Sequence, residues 1–371
     1  LNRSLRPSRG RLPLRVGLLV SLAAAPAAGQ LGEPISPSLE DRLDEAIEAL
    51  RTHQDTSGVI GLSAAIAVGG RLLWAGGFGY ADLQNRVPAD GDMVSRIGSI
   101  SKPVAAVAAM ALWDQGRLDL DAPISRYLPD YPAGNGRITL RQLMSHTAGV
   151  RHYRDEEFVS NIPYEDVMEP LEVFWADSLL FEPGTAYAYT TYGWTVVSAV
   201  TQAADAERDW VAILEDEVTG PLGLHTLQPE WQDSVIPGHA RFYGHTPEGA
   251  VVYAPEVDLS NKWAGGGLVG TTTDLVNFGL GVAGGEVLSD AARAEMWRRQ
   301  TPTGDAPSYG LGWGIGEIEG RRAVSHSGGS VGATAMLIVL PDDGVVVAIL
   351  GNTNGIGHAG IARRVAALFL D

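Results

Sequence analysis

Ser95-Arg96-Ile97-Gly98-Ser99-Ile100-Ser101-Lys102-Pro103 is followed at once by Val104-Ala105-Ala106-Val107-Ala108-Ala109-Met110-Ala111-Leu112. The second run carries no charge, which predicts a buried helix with Ser99 at its N-terminus and Lys102 on the same face about one turn along. A hydroxyl and an amine are thereby held together. The free backbone N–H groups and the positive dipole end of a helix start favour any oxyanion that forms there. This stretch is the expected centre of the chemistry.

Composition makes the lysine informative. Of 27 basic residues only Lys102 and Lys262 are lysine, and the rest are arginine. Arginine keeps its proton in a protein, whereas a desolvated lysine can become a neutral base. Lys262 has two readings at this stage, a second cleft cation or a solvated loop charge.

The first 30 of the 371 residues hold five arginines and no acid, then the apolar run 16–25 and the small residues Ala27-Ala28-Gly29. That layout predicts a signal peptide over residues 1–29, too short for the roughly 20 apolar residues of a membrane span. The mature catalytic domain is then 30–371, exported to the periplasm or secreted, with no stable membrane insertion after cleavage. Cleavage leaves 22 of the 27 basic residues against 44 acids, a formal charge of −22. No basic stripe remains to neutralise phosphates, so nucleic acid is not an expected partner. The absence of cysteine excludes disulfides, thiol catalysis and thiolate metal sites. No His-Glu-x-x-His or comparable cluster occurs, and neither metal nor cofactor is expected. The glycine-rich 310–316 follows an aromatic within a strand and does not read as a dinucleotide site.

Pro37-Ser38-Leu39-Glu40-Asp41 opens a helix with Ser38 as N-cap and Leu39, Leu43, Ile47 and Leu50 on one face. Residues 61–68 and 71–80 read as strands joined by a Gly69-Gly70 hairpin turn. Short helices broken by proline and glycine fill about 115–265 and suggest a helical lobe. Strand signals return over 309–319, 323–340 and 345–350, and a last helix covers about 361–368. These elements predict an α/β fold of the α+β type: an antiparallel sheet of about five strands, flanked by the terminal helices, with the helical lobe inserted and the active site between them.

A serine nucleophile needs a base, an oxyanion hole and a proton donor for the leaving group. Tyr187-Ala188-Tyr189-Thr190-Thr191-Tyr192 places hydroxyls in a turn before a helix, and Ser325-His326-Ser327-Gly328-Gly329 interrupts a strand with glycines. His146 and His152 read as loop anchors.

Ser99-x-x-Lys102, Tyr189-x-Thr191 and His326-Ser327-Gly328 match in order the three motifs of the penicillin-recognising serine hydrolases. With Leu143-Met144-Ser145-His146-Thr147-Ala148-Gly149, Ala264-Gly265-Gly266-Gly267-Leu268 and Tyr309-Gly310-Leu311-Gly312-Trp313, the chain resembles the branch of class C beta-lactamases, D-alanyl-D-alanine peptidases and related esterases. Within it, Val150-Arg151-His152-Tyr153 and Lys262-Trp263-Ala264 look most like the mitochondrial serine beta-lactamase-like protein and its bacterial relatives, regarded as serine proteases. The resemblance implies Ser99 as acylated nucleophile, Lys102 as general base, Tyr189 as proton shuttle, and the backbone N–H groups of Ser99 and Gly329 as oxyanion hole. Thr191, His326, Ser327 and Gly328 are implied in substrate binding. Two positions depart from the pattern: Thr191 stands for an asparagine and His326 for a lysine. With an ordinary pKa of about 6.5, His326 would lose its charge as pH rises through about 6 to 7.

The expected activity is a serine hydrolase forming an acyl-enzyme with a peptide or small amide or ester. Esterase, D-alanyl-D-alanine peptidase and beta-lactamase are alternatives of the same chemistry. A catalytically silent binder of cell-wall peptides is the alternative of a different class.

Overall fold

A computed structural model describes residues 36–132 and 134–370, so the leader expected over 1–29 lies outside the described residues. The described strands are β1 (Gly61–Val68), β2 (Arg71–Asp82), β3 (Val87–Pro88), β4 (Ser95–Arg96), β5 (Gln228–Pro229), β6 (Tyr243–His245), β7 (Val251–Tyr253), β8 (Leu268–Gly270), β9 (Gly314–Ile318), β10 (Arg321–Ser330), β11 (Ala333–Leu340) and β12 (Val345–Gly351). The helices are α1 (Pro37–Ser57), α2 (Ser101–Asp114), α3 (Leu140–Met144), α4 (Tyr192–Asp205), α5 (Trp210–Leu214), α6 (Thr272–Gly284), α7 (Asp290–Met296) and α8 (Ala359–Ala367).

Seven strands form the main sheet in the order β3-β2-β1-β12-β11-β10-β9. The pairs are antiparallel, and β1 lies against β12, so the two ends of the chain complete one sheet. The sheet is larger than the five strands expected. One reason is β3, a two-residue edge strand beside Tyr80 and Asp82. The other is that residues 323–340 are not one strand but the facing halves of a hairpin, β10 and β11. The chain turns at Gly332, whose φ of 74° is in the left-handed region and whose missing Cβ would lie 2.4 Å from that of Phe242.

The sheet has two apolar faces. On one, Leu43, Ala46 and Leu50 of α1 and Ala362, Val365 and Ala366 of α8 meet Leu62, Ile66, Val347 and Ile349. The cap of α1 lies two residues earlier than its sequence suggests. Ser36 is the cap and Pro37 the first helical residue, whose ring presets the required φ and whose missing N–H is one the helix start would leave unpaired. On the other face α6 packs on β1, β11 and β12. Beyond it lies α2, in which every residue from Ser101 to Leu112 is buried, wrapped by α4, α5 and α7. From Val104 to Leu112 α2 carries no side chain larger than Met, which lets the neighbouring helices approach it closely. The sequence Val104 to Leu112 thus behaves as its uniform apolarity demands.

Candidate active site

Gly98–Ile100 form a single 3-10 turn that feeds α2, so Ser99 sits just ahead of the helix rather than inside it. Gly98 has φ 50°, and a Cβ there would stand 2.7 Å from the Gly329 carbonyl oxygen and 2.8 Å from its nitrogen. At Gly328 a Cβ would meet the Ile97 carbonyl at 2.1 Å. The Ser99 turn and β10 therefore touch backbone to backbone, with the Ser99 and Gly329 amides on adjoining segments. Arg96 anchors the approach: its guanidinium donates to both carboxylate oxygens of buried Glu230 at 2.7 Å and to the Val331 carbonyl at 2.6 Å.

Lys102 is fully buried and its Nζ lies 2.9 Å from Ser99 Oγ. Nζ also donates to the Gly265 carbonyl at 2.5 Å and approaches Thr191 Oγ1 at 3.4 Å. Burial holds its pKa well below the ordinary lysine value. A neutral amine has two N–H groups and one lone pair, and the three contacts match that inventory if the Ser99 hydroxyl donates to the lone pair. The Tyr189 ring centroid is 4.8 Å from Nζ. Burial raises the Tyr189 pKa, and an interaction with Ser99 opposes the rise in part. Tyr189 therefore keeps its proton at neutral pH. Of its neighbours, Tyr192 is fully buried and stacks on Phe174 at 4.4 Å, which removes it from the site.

Two histidines fix the Tyr189 loop. His146 Nδ1 accepts the Thr190 N–H at 3.1 Å, and its ring lies 4.2 Å from that of Tyr189. His152 Nδ1 accepts the Thr191 N–H at 3.2 Å. Desolvation is the main cause lowering both pKa values, that of His152 to about 4. Both are neutral anchors, as expected.

Ser99, Tyr189, His326, Ser327 and Gly329 line one cleft of about 630 Å³. Gly328 is buried against Ile97 and does not line it. Thr191 differs from the expectation of a substrate contact: it is 4% exposed and turned to Lys102. His326 differs more. Its Nδ1–H donates to the Ser327 carbonyl at 2.6 Å and its Nε2 accepts the Tyr309 hydroxyl at 2.8 Å, which together define one neutral tautomer. Burial brings its pKa down to about 3. The titration expected between pH 6 and 7 is thereby corrected. Lys262 is neither a cleft cation nor a solvated charge. It is 3% exposed, donates to the Phe158 carbonyl at 2.9 Å, and burial lowers its pKa to about 7.

Sequence reasoning missed Tyr309 as the partner of His326 and the Gly265 carbonyl as the partner of Lys102. The first stood in a strand-like run with no sign of its contact across the sheet. The second is backbone, and only the glycine run 265–267 hinted at close approach.

A family profile described as Beta-lactamase matches residues 43–370. The chain belongs to the Beta-lactamase family. The fold it shares is that of serine hydrolases. The human mitochondrial serine beta-lactamase-like protein LACTB is 27% identical, with 91% of this chain and 81% of the relative covered. Penicillin-binding protein 4 of Amycolatopsis lactamdurans is 29% identical, covering 83% of this chain and 84% of the relative. Among solved structures, the D-amino acid amidase of Ochrobactrum anthropi superposes with a TM-score of 0.78 at 22% identity, over 88% of this chain and 98% of that one. This member of the Beta-lactamase family carries Ser99 just ahead of α2 and Lys102 in its first turn.

Proposed function

We propose that this chain is an exported serine hydrolase that transfers the acyl group of a peptide, or of a small amide or ester, to Ser99 and then to water. The single observation that carries the reading is the buried, uncharged environment of Lys102 at hydrogen-bond distance from Ser99 Oγ. Lys102 takes the Ser99 proton as the Oγ lone pair attacks the carbonyl carbon. The resulting oxyanion is met by the Ser99 and Gly329 N–H groups. As the tetrahedral intermediate collapses, the Tyr189 hydroxyl gives its proton to the departing nitrogen or oxygen and is reprotonated through Lys102. Water then repeats the attack on the ester of Ser99. β10 favours an extended substrate, since β9 pairs with it only over Arg321 to Ser325 and leaves the following residues unpaired on that side.

The test is intact-mass measurement after treatment with a serine-directed phosphonate. One adduct on the wild type and none on Ser99→Ala is expected. Absence of an adduct on folded wild-type protein would overturn the proposal. Export rests on the arginine-rich start, the apolar run and Ala27-Ala28-Gly29. Expressed with its own leader, the protein should lose its first 27 to 29 residues, leaving 30–371 as one catalytic unit with the helical segment 115–265 inserted. An unprocessed, membrane-bound product would exclude that part.

A further inference from the structure

Among the described residues that line the cleft, none is Asp, Glu, Lys or Arg. Phe158, Val159, Pro255 and Val331 give it an apolar side, and Ser327, Ser330, Thr334 and Asn354 a neutral polar one. Three basic side chains stand close behind this lining, and each is already engaged. Arg96 is bound by the Glu230 carboxylate and the Val331 carbonyl. Lys262 is covered and faces the Phe158 carbonyl. Lys102 is fully buried and directed at Ser99, Thr191 and Gly265. His326, on the cleft wall itself, has both ring nitrogens used by Tyr309 and the Ser327 carbonyl.

Resting on the serine-hydrolase reading above, we infer that the cleft selects an uncharged acyl donor: an ester, or an amide within a chain, with no free carboxylate near the scissile bond. A carboxylate entering here exchanges its water for apolar walls and neutral hydroxyls, with no cation to replace the hydration it loses. The two amides beside Ser99 are needed for the carbonyl oxygen and cannot serve the carboxylate as well. The formal charge of −17 on the whole chain adds a weak long-range repulsion of anions. A cation fares no better, because no acidic side chain lines the cleft to receive it. The low pKa of His326 extends the selection across neutral pH, since the ring does not become an anion receptor on mild acidification.

Two esters of equal acyl length test this: p-nitrophenyl hexanoate and mono-p-nitrophenyl adipate, which differ in a terminal carboxylate. After subtraction of spontaneous hydrolysis, kcat/KM for the hexanoate is expected to exceed that for the adipate by about tenfold or more. The ratio should hold from pH 6 to pH 8. Val159→Lys, which puts a cation on the wall without touching the reacting groups, is expected to narrow the ratio by raising the adipate rate. Equal rates, or a faster adipate, with wild-type enzyme would overturn the inference while leaving acyl transfer at Ser99 intact. Failure of both esters together with failure of the phosphonate to label Ser99 would instead remove the hydrolase reading, and this inference with it. A phosphonate adduct without ester turnover moves the same comparison to neutral and carboxylate-bearing alkyl phosphonates, where equal labelling rates would overturn it.

Discussion

In the proposed mechanism Lys102 acts through its lone pair, and that separates two substitutions that electrostatics alone would rank differently. Lys102→Arg places a permanent cation there that cannot offer a lone pair, and Lys102→Ala removes the amine altogether. If the amine is the base, acylation should fall by roughly 10²- to 10⁴-fold in each. Were it a mere anchor for negative charge, the arginine variant would retain most of the activity. The acylation rate of both variants, measured on protein shown to be folded, decides between these. The candidate base stood out in the sequence because so few lysines occur in this chain, and the structure puts its Nζ 2.9 Å from Ser99 Oγ. The state of His326 was not. Nothing local to Ser325-His326-Ser327 reveals that Tyr309 closes over the ring, and desolvation by distant segments is what sets its pKa. Lys262 was illegible for the same reason, since its cover comes from Tyr153 and Phe158, more than a hundred positions away.

The Ser99 turn and β10 work as one element because their backbones touch. Gly98→Ala adds a Cβ to a residue with φ 50° and drives it against Gly329. The two amides should part, and kcat should fall by about 10²- to 10³-fold, the scale of losing one oxyanion donor, with a smaller change in KM. An alanine variant with wild-type kcat would show that Gly329 is not part of the hole. Elements of this kind are only partly written in local sequence. The uniform apolarity of Val104 to Leu112 announced α2, and Gly69-Gly70 announced the β1–β2 hairpin. The turn between β10 and β11 hid because Val331-Gly332-Ala333 continues a strand-like pattern, and what forces the reversal is packing under Phe242 and Ala254. The start of α1 was displaced because two serines flank Pro37, and proline, not the second serine, chooses the cap.

For the molecule as a whole, two buried lysines tie stability to pH. Their folded pKa values lie below the unfolded value of about 10.4, so between the two the unfolded chain binds more protons and stability rises with pH. For Lys262 the window opens at about pH 7. Each such proton contributes about 1.4 kcal/mol per pH unit, so Lys262→Met should flatten the rise between pH 7 and 10 by about that slope. Denaturant melts of both proteins across that range measure it, and parallel curves would mean that Lys262 is solvated after all. The global architecture was the most legible part of the chain, because strand and helix periods at both ends left few ways to complete a sheet. Its extent was less so, since β3 is too short to carry a period. The placement of α2 has a consequence for how the protein breathes. A helix enclosed from Ser101 to Leu112 has no solvent-facing side through which to fray, so its amide protons should exchange with deuterium only when the entire chain opens. Catalytic competence and the native state should then be lost at one temperature, with no loosened form that is folded but inert, and no loosened form that still turns over.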